Sequence, residues 1–260
     1  MFCCFRSSKL IVVALCLSAP IAVDARAETI KAPEIMPRKK WEIAKQPFNT
    51  NEMQPQPVFK SIVIHSTGTL VRLWKSKTAA QKMQDYHDSH LRKRQEYREE
   101  MKGAPWGGFA YHYFIDTDGT IAEGRSLEYL GDSGTDYDMS RLILVVLEGN
   151  FEGGPTNVER AKLEKYKGAY TGEPKEVEAD KNLVSIDLVP DRPTEVQKKK
   201  LDALVAWLSK RHKIAPSTIK GHKEMALGIR KTDCPGEHLM SYLPSLKAHA
   251  IKALVEDERQ

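Results

Sequence analysis

The sequence predicts an α/β domain: a central mixed β-sheet flanked by helices, in one domain that carries surface insertions. Three observations carry this. Residues 142–147 (Leu-Ile-Leu-Val-Val-Leu) form an uninterrupted apolar run, the pattern of a strand buried on both faces. Pro193-Thr-Glu-Val-Gln197 is a helix start, and Leu201, Leu204, Val205 and Leu208 then follow at helical spacing as far as His212. Strand patterns and helix patterns also alternate along the chain, which favours a sheet packed between helices.

The elements follow in order. Residues 1–27 have the form of an export signal. Arg6 and Lys9 precede a largely apolar stretch ending at Val23, and Ala25-Arg-Ala27 fits a small-residue cleavage site. The stretch is short and broken by Pro20, which disfavours a retained membrane helix. Residues 28–57, rich in proline and polar side chains, read as an extended N-terminal arm. Residues 58–66 read as a strand ending at His65. Thr78 can cap a helix running towards Met101, with Ala79, Met83 and Tyr86 on its apolar side. Its end, about 91–102, mixes charges of both signs, reads as a solvated face and is taken as a first insertion. The glycines from Gly103 to Gly108 break it. Residues 109–115 read as a strand, Asp118-Gly119 as a hairpin turn and 120–123 as the return strand. The polar stretch around 153–191 is too long for an ordinary connection and is taken as a second insertion. The main domain is expected over 58–247, with a tail at 248–260.

Composition narrows the function. The formal charge is +5, and removing Arg6, Lys9, Arg26 and Asp24 with the signal segment takes off a net +2 and leaves +3. That balance is too mild to argue for nucleic acid. Of the four cysteines, Cys3, Cys4 and Cys16 lie in the signal segment, so the mature chain keeps only Cys234. One cysteine cannot form an internal disulfide, and a bare exported thiol is exposed to oxidation, so metal ligation would protect it.

That points to His65, His222 and Cys234. Two imidazoles and a thiolate suit Zn2+, and three protein ligands leave a fourth position for water or substrate. Taken singly, a strand-end histidine is more often a core or hydrogen-bonding group and a single cysteine a small buried hydrophobe. Here the three residues together, and not any one of them, point to a metal. Ligands drawn from separate elements suit an open cleft better than a compact structural knuckle.

The ordered landmarks resemble the zinc-dependent N-acetylmuramoyl-L-alanine amidases of the peptidoglycan recognition protein and phage-lysozyme type. They are Arg38-Lys-Lys-Trp41; Ile62-Val-Ile-His65 followed by Ser-Thr; Asp85-Tyr-His87; Trp106; Tyr111-His-Tyr-Phe-Ile115; Asp118-Gly119; Glu123-Gly-Arg125; Gly149-Asn-Phe151; Pro193-Thr-Glu-Val-Gln197; Gly221-His222; and Asp233-Cys-Pro-Gly236. They span about 37–243. The resemblance implies a single catalytic domain with His65, His222 and Cys234 on zinc and Tyr111 beside the developing oxyanion. Thr232, two residues before the last ligand, and its neighbour Lys231 fall where relatives place a further catalytic group. It implies peptidoglycan or muropeptides as the partner, a periplasmic or secreted protein, and no stable membrane anchor after cleavage. The rival implication is a recognition module of the same fold that binds without cutting. A zinc peptidase of the His-Glu-x-x-His type is disfavoured, because that motif is absent.

The sequence departs from the pattern in places. Lys231-Thr-Asp233 imitates relatives that use aspartate as third ligand, which makes Asp233 a rival to Cys234, with Lys231 then the charged stabiliser. The interval from His222 to Cys234 is long. Ser133 stands where many members have histidine. Glu148 lies near an acidic position that some relatives use as base, but out of register, so it reads as a strand-end carboxylate.

Overall fold

The computed structural model describes residues 29–43, 47–69, 71, 76–96, 106–133, 137–152, 190–225 and 232–259, with 92–96 by backbone alone. The signal segment, most of the second insertion and Lys231 lie outside the described residues.

Five strands form one mixed sheet in the order β3-β2-β4-β1-β5. They are β1 (Ser61–Ser66), β2 (Tyr113–Ile115), β3 (Ile121–Glu123), β4 (Leu142–Leu147) and β5 (Lys220–Gly221). β4 is central, parallel to β1 and β2, and buried at every residue, as its apolar run requires. β1 is also parallel to β5, while the β2–β3 hairpin is antiparallel. Among the described residues, four α-helices accompany the sheet: α1 (Ala79–Glu96), α2 (Glu195–His212), the single turn α3 (His222–Met225) and α4 (Glu237–Glu258).

Strand alternation divides the core. Ile62, Ile64, Ile143, Val145 and Leu147 point to one face, where Leu201, Leu204, Val205 and Leu208 of α2 and Leu239, Leu243 and Leu246 of α4 cover them. Thr194 starts α2 through a capping box, its hydroxyl accepting from the Gln197 N–H while the Gln197 side chain returns to the Thr194 N–H. On the opposite face, Phe114, Ala122 and Val146 pack under α1 with Met83, Tyr86, Phe109 and Trp41. Among the described residues, no long helix covers the rest of that face. Val63, Leu142 and Leu144 are roofed there by the half-buried Tyr111, Tyr137, Met139 and Met225. β1 alternation sends His65 to this side, so the open part of the face is where chemistry can occur.

Three boundaries differ from expectation. Part of the stretch set apart as an arm belongs to the domain. Trp41 is 1% exposed and donates its Nε1–H to the Glu123 carbonyl at 2.6 Å, and Met36 exchanges backbone bonds with Ile121 and Glu123. Apolar burial outweighs the polar composition there. Residues 248–258, set apart as a tail, are the end of α4, with Ala250 continuing its buried stripe. The strand expected from 109 begins at Tyr113, because side chains rather than a neighbouring strand bind much of the backbone of 109–111.

Candidate metal centre and active-site groove

His65 is the fifth residue of β1 and is fully buried. His222 opens α3 directly after β5, which pairs with β1 and so brings the second imidazole beside the first. The ring centroids are 4.4 Å apart. Cys234 lies C-terminal to α3 and is tied back to it by the Lys223 N–H, which donates to the Cys234 carbonyl at 2.7 Å. Gly236 makes the next turn with φ +92, and a side chain there would collide with the Phe151 carbonyl. Potential ligand atoms of His65, His222 and Cys234 all lie within 4.8 Å of one another, and Cys234 Sγ is 3.7 Å from His65 Nδ1.

This donor set fits a zinc ion. His65 Nε2 is buried without a hydrogen-bond partner, although native structures rarely leave such an atom unpaired. Burial holds the His65 imidazole well below its ordinary range, helped by His222 and His112, and lowers His222 to about 4. Both rings are therefore neutral, as ligands must be. Burial pushes the Cys234 thiol up to about 11, opposed by Ser66. The Ser66 N–H lies 3.3 Å from Sγ and its hydroxyl 3.9 Å. A bound cation would favour the thiolate, and these donors already point at it.

The other residues singled out in the sequence separate clearly. The Tyr111 ring lies 5.0 Å from that of His65 and is half-buried, so it lines the site. The Thr232 hydroxyl accepts the Cys234 N–H at 3.1 Å. Asp233, the rival ligand, is on the surface with its carboxylate 3.3 Å from Lys223 Nζ. Ser133 contacts the Tyr137 hydroxyl at 3.3 Å on the groove wall. Glu148 turns under α1, where one carboxylate oxygen accepts from the Tyr86 hydroxyl at 2.9 Å. His112 sits between Leu144 N–H, which its Nδ1 accepts at 2.9 Å, and the Tyr129 carbonyl at 3.0 Å, so it is structural.

Sequence reasoning missed Tyr137. Its ring is 5.5 Å from that of His222, and burial raises its phenol pKa, keeping it protonated. Its one sequence signal is an aromatic residue in a polar loop next to Ser133. Met139 and Met225 were also missed, and they share the roof over Val63 and Leu144 with the two tyrosines.

A mixed sheet with two histidines and a cysteine gathered at its open face defines an amidase-type fold with a candidate metal centre. The chain belongs to the N-acetylmuramoyl-L-alanine amidase family, whose model matches residues 54–237, more than half of its length. Solved structures of similar fold include Drosophila PGRP-LB, 18% identical with a TM-score of 0.52 over 82% of this chain and 93% of that one. Peptidoglycan recognition protein-LE in complex with tracheal cytotoxin is 17% identical, with a TM-score of 0.50 over 81% and 92%. The amidase LysC from Clostridium intestinale URNW is 20% identical, with a TM-score of 0.45 over 83% and 96%. No curated protein matches the sequence.

Proposed function

We propose that this protein is a zinc-dependent N-acetylmuramoyl-L-alanine amidase that hydrolyses the amide between the lactyl group of N-acetylmuramic acid and L-alanine in peptidoglycan. The observation that carries this reading is the convergence of His65, His222 and Cys234 from three separate elements, in a chain of this family. A zinc ion held there would acidify a bound water and polarise the scissile carbonyl. In the hydrolysis the C–N bond breaks, the lactyl carbon gains the hydroxyl and the alanine nitrogen gains a proton.

The chain supplies the rest. Tyr111 is near enough to His65 to donate its phenol proton as a hydrogen bond to charge that grows on the carbonyl oxygen. Tyr137, Met139 and Met225 form a partly apolar floor beside the ligands, on which the substrate can lie. Peptidoglycan as ligand is supported by the family and by the tracheal cytotoxin held by the recognition protein of similar fold. The mature chain is proposed to begin near Glu28 and to act in the periplasm or outside the cell, which N-terminal sequencing of the exported form tests.

The decisive assay is mass spectrometry of muropeptides after digestion of purified sacculi, with and without a chelator. Free stem peptides are expected, and the chelator should abolish them. If zinc is bound and the fold intact but no stem peptide is released, the protein is a non-catalytic recognition module.

A further inference from the structure

The segment that delivers Tyr111 is held by side chains from two other parts of the chain. Arg125, almost fully buried, collects its carbonyls. Nε donates to the Phe109 carbonyl at 3.1 Å and Nη2 to those of Trp106 and Gly108, while Nη1 ties the guanidinium to the Leu130 carbonyl, outside the segment, at 2.7 Å. Two histidines of α1 take its N–H groups. The Phe109 N–H donates to His87 Nδ1 and the Ala110 N–H to His90 Nδ1, each at 3.1 Å. The approach is close. Gly108 has φ +132, and a Cβ there would lie 2.6 Å from His87 Cε1. A ring nitrogen that accepts carries no proton, so both rings are neutral with the proton on Nε2.

The two histidines do different things. The His87 ring packs against Trp41 and Phe48, away from the groove. His90, one turn further along α1, stacks on Phe109 at 5.6 Å and meets Trp106 at 4.8 Å. It also meets the Tyr111 ring edge-to-face at 6.1 Å. It therefore holds the backbone N–H of Ala110, the residue before Tyr111, and also meets the ring of Tyr111 itself.

We propose that His90 is a positioning residue for Tyr111: its Nδ1 fixes the Ala110 N–H, and its ring limits the swing of the phenol. The catalytic part rests on the reading of Tyr111 as a transition-state donor.

A double-mutant cycle on the full mature, zinc-loaded protein tests it. Tyr111→Phe should lose about a hundredfold in turnover. His90→Leu should lose about tenfold, with KM and zinc content near parental, the mark of an interaction made mainly in the transition state. In the Tyr111→Phe background the same change should cost almost nothing further, because it acts through the missing hydroxyl. His90→Asn, which can present an amide oxygen near the place of Nδ1, should recover most of the loss. If His90→Leu does not fold, His90→Gln takes its place in the cycle. Hydrogen exchange at the Ala110 amide gives a readout independent of activity. It should accelerate in His90→Leu and stay near parental in His90→Asn. Additive losses would mean that His90 matters to the fold and not through Tyr111. Unchanged Ala110 exchange in His90→Leu would overturn the positional claim itself. Parental turnover in Tyr111→Phe would instead sink the Tyr111 reading and, with it, the catalytic purpose of His90.

Discussion

Two buried polar clusters lie on the same face of the sheet and meet the cost of burial in opposite ways. Under α1, Lys82 brings its own cation. Its ammonium is 2.6 Å from the Asp116 carboxylate, and both side chains are 4% exposed. Glu148 is fully buried beside them, and burial pushes its carboxyl up to about 8, against the opposing pull of Lys82 and Tyr86. This cluster is closed, with charge paired or kept protonated. At the open part of the face, His65, His222 and Cys234 contain no cation, only groups that can bind one. The first arrangement is a structural solution and the second is a chemical one. Telling them apart requires knowing which partners are built into the chain.

The largest effects should come from the open cluster. His65→Ala or Cys234→Ala should lose zinc by elemental analysis, and amidase activity by at least on the order of a thousandfold, while leaving the fold intact. Asp233→Ala should keep both, since its carboxylate is exposed and paired with Lys223. Zinc retained in Cys234→Ala and lost in Asp233→Ala would move the third ligand to Asp233.

The closed cluster should respond in stability rather than chemistry. Lys82→Met would leave the Asp116 carboxylate buried without its ammonium. Breaking a buried pair from one side costs about 3–5 kcal/mol. Urea unfolding should show that loss, with zinc content unchanged below the new midpoint. A loss under about 1 kcal/mol, the range of exposed pairs, would mean that the pair is wet and the contrast overstated.

Glu148 adds a pH dependence of definite sign. Its folded pKa lies above the unfolded value near 4.5, so the folded state holds the proton more tightly. The stabilisation is complete below about 4.5 and is lost as the pH rises towards 8. Glu148→Gln keeps the shape and removes the titration. Its stability relative to the parent should therefore rise between pH 5 and 8 and level off beyond, by on the order of 4 kcal/mol. A flat difference across that window would show that the carboxyl is not desolvated as placed.

Much of this was legible where the signal is local. The apolar run of β4 and the cap and stripe of α2 lie at the residues read from the sequence, because both patterns act within a few turns or a single strand. The donor set could be read from its chemistry, since two imidazoles and one thiol suit few purposes other than a metal. The segment 109–111 was misread as strand because partners such as Arg125, His87 and His90 come from elsewhere in the chain. Tyr137 was invisible for the same reason, as only the fold places it beside His222. Trp41 was recognised as a landmark, but its polar neighbours hid its burial.

The smallest effect bears on where the open cluster ends. Thr232 falls where relatives place a group that acts on the reaction, yet its hydroxyl accepts the Cys234 N–H at 3.1 Å. A hydroxyl used in this way shapes the turn that presents the thiolate, and so acts on the metal before it acts on the substrate. Thr232→Val keeps the volume and removes the acceptor. One such hydrogen bond contributes about 1 kcal/mol, so zinc affinity should fall about fivefold in a chelator competition. Turnover at saturating zinc should change by less than about twofold, on the same reasoning that a ground-state scaffold contact does not select the transition state. Thr232→Ser should restore the affinity, because it returns the oxygen. The opposite pattern, unchanged zinc affinity with turnover reduced about a hundredfold, is what loss of a transition-state donor produces. It would place Thr232 beside Tyr111 as a group acting on the substrate and extend the open cluster by one residue.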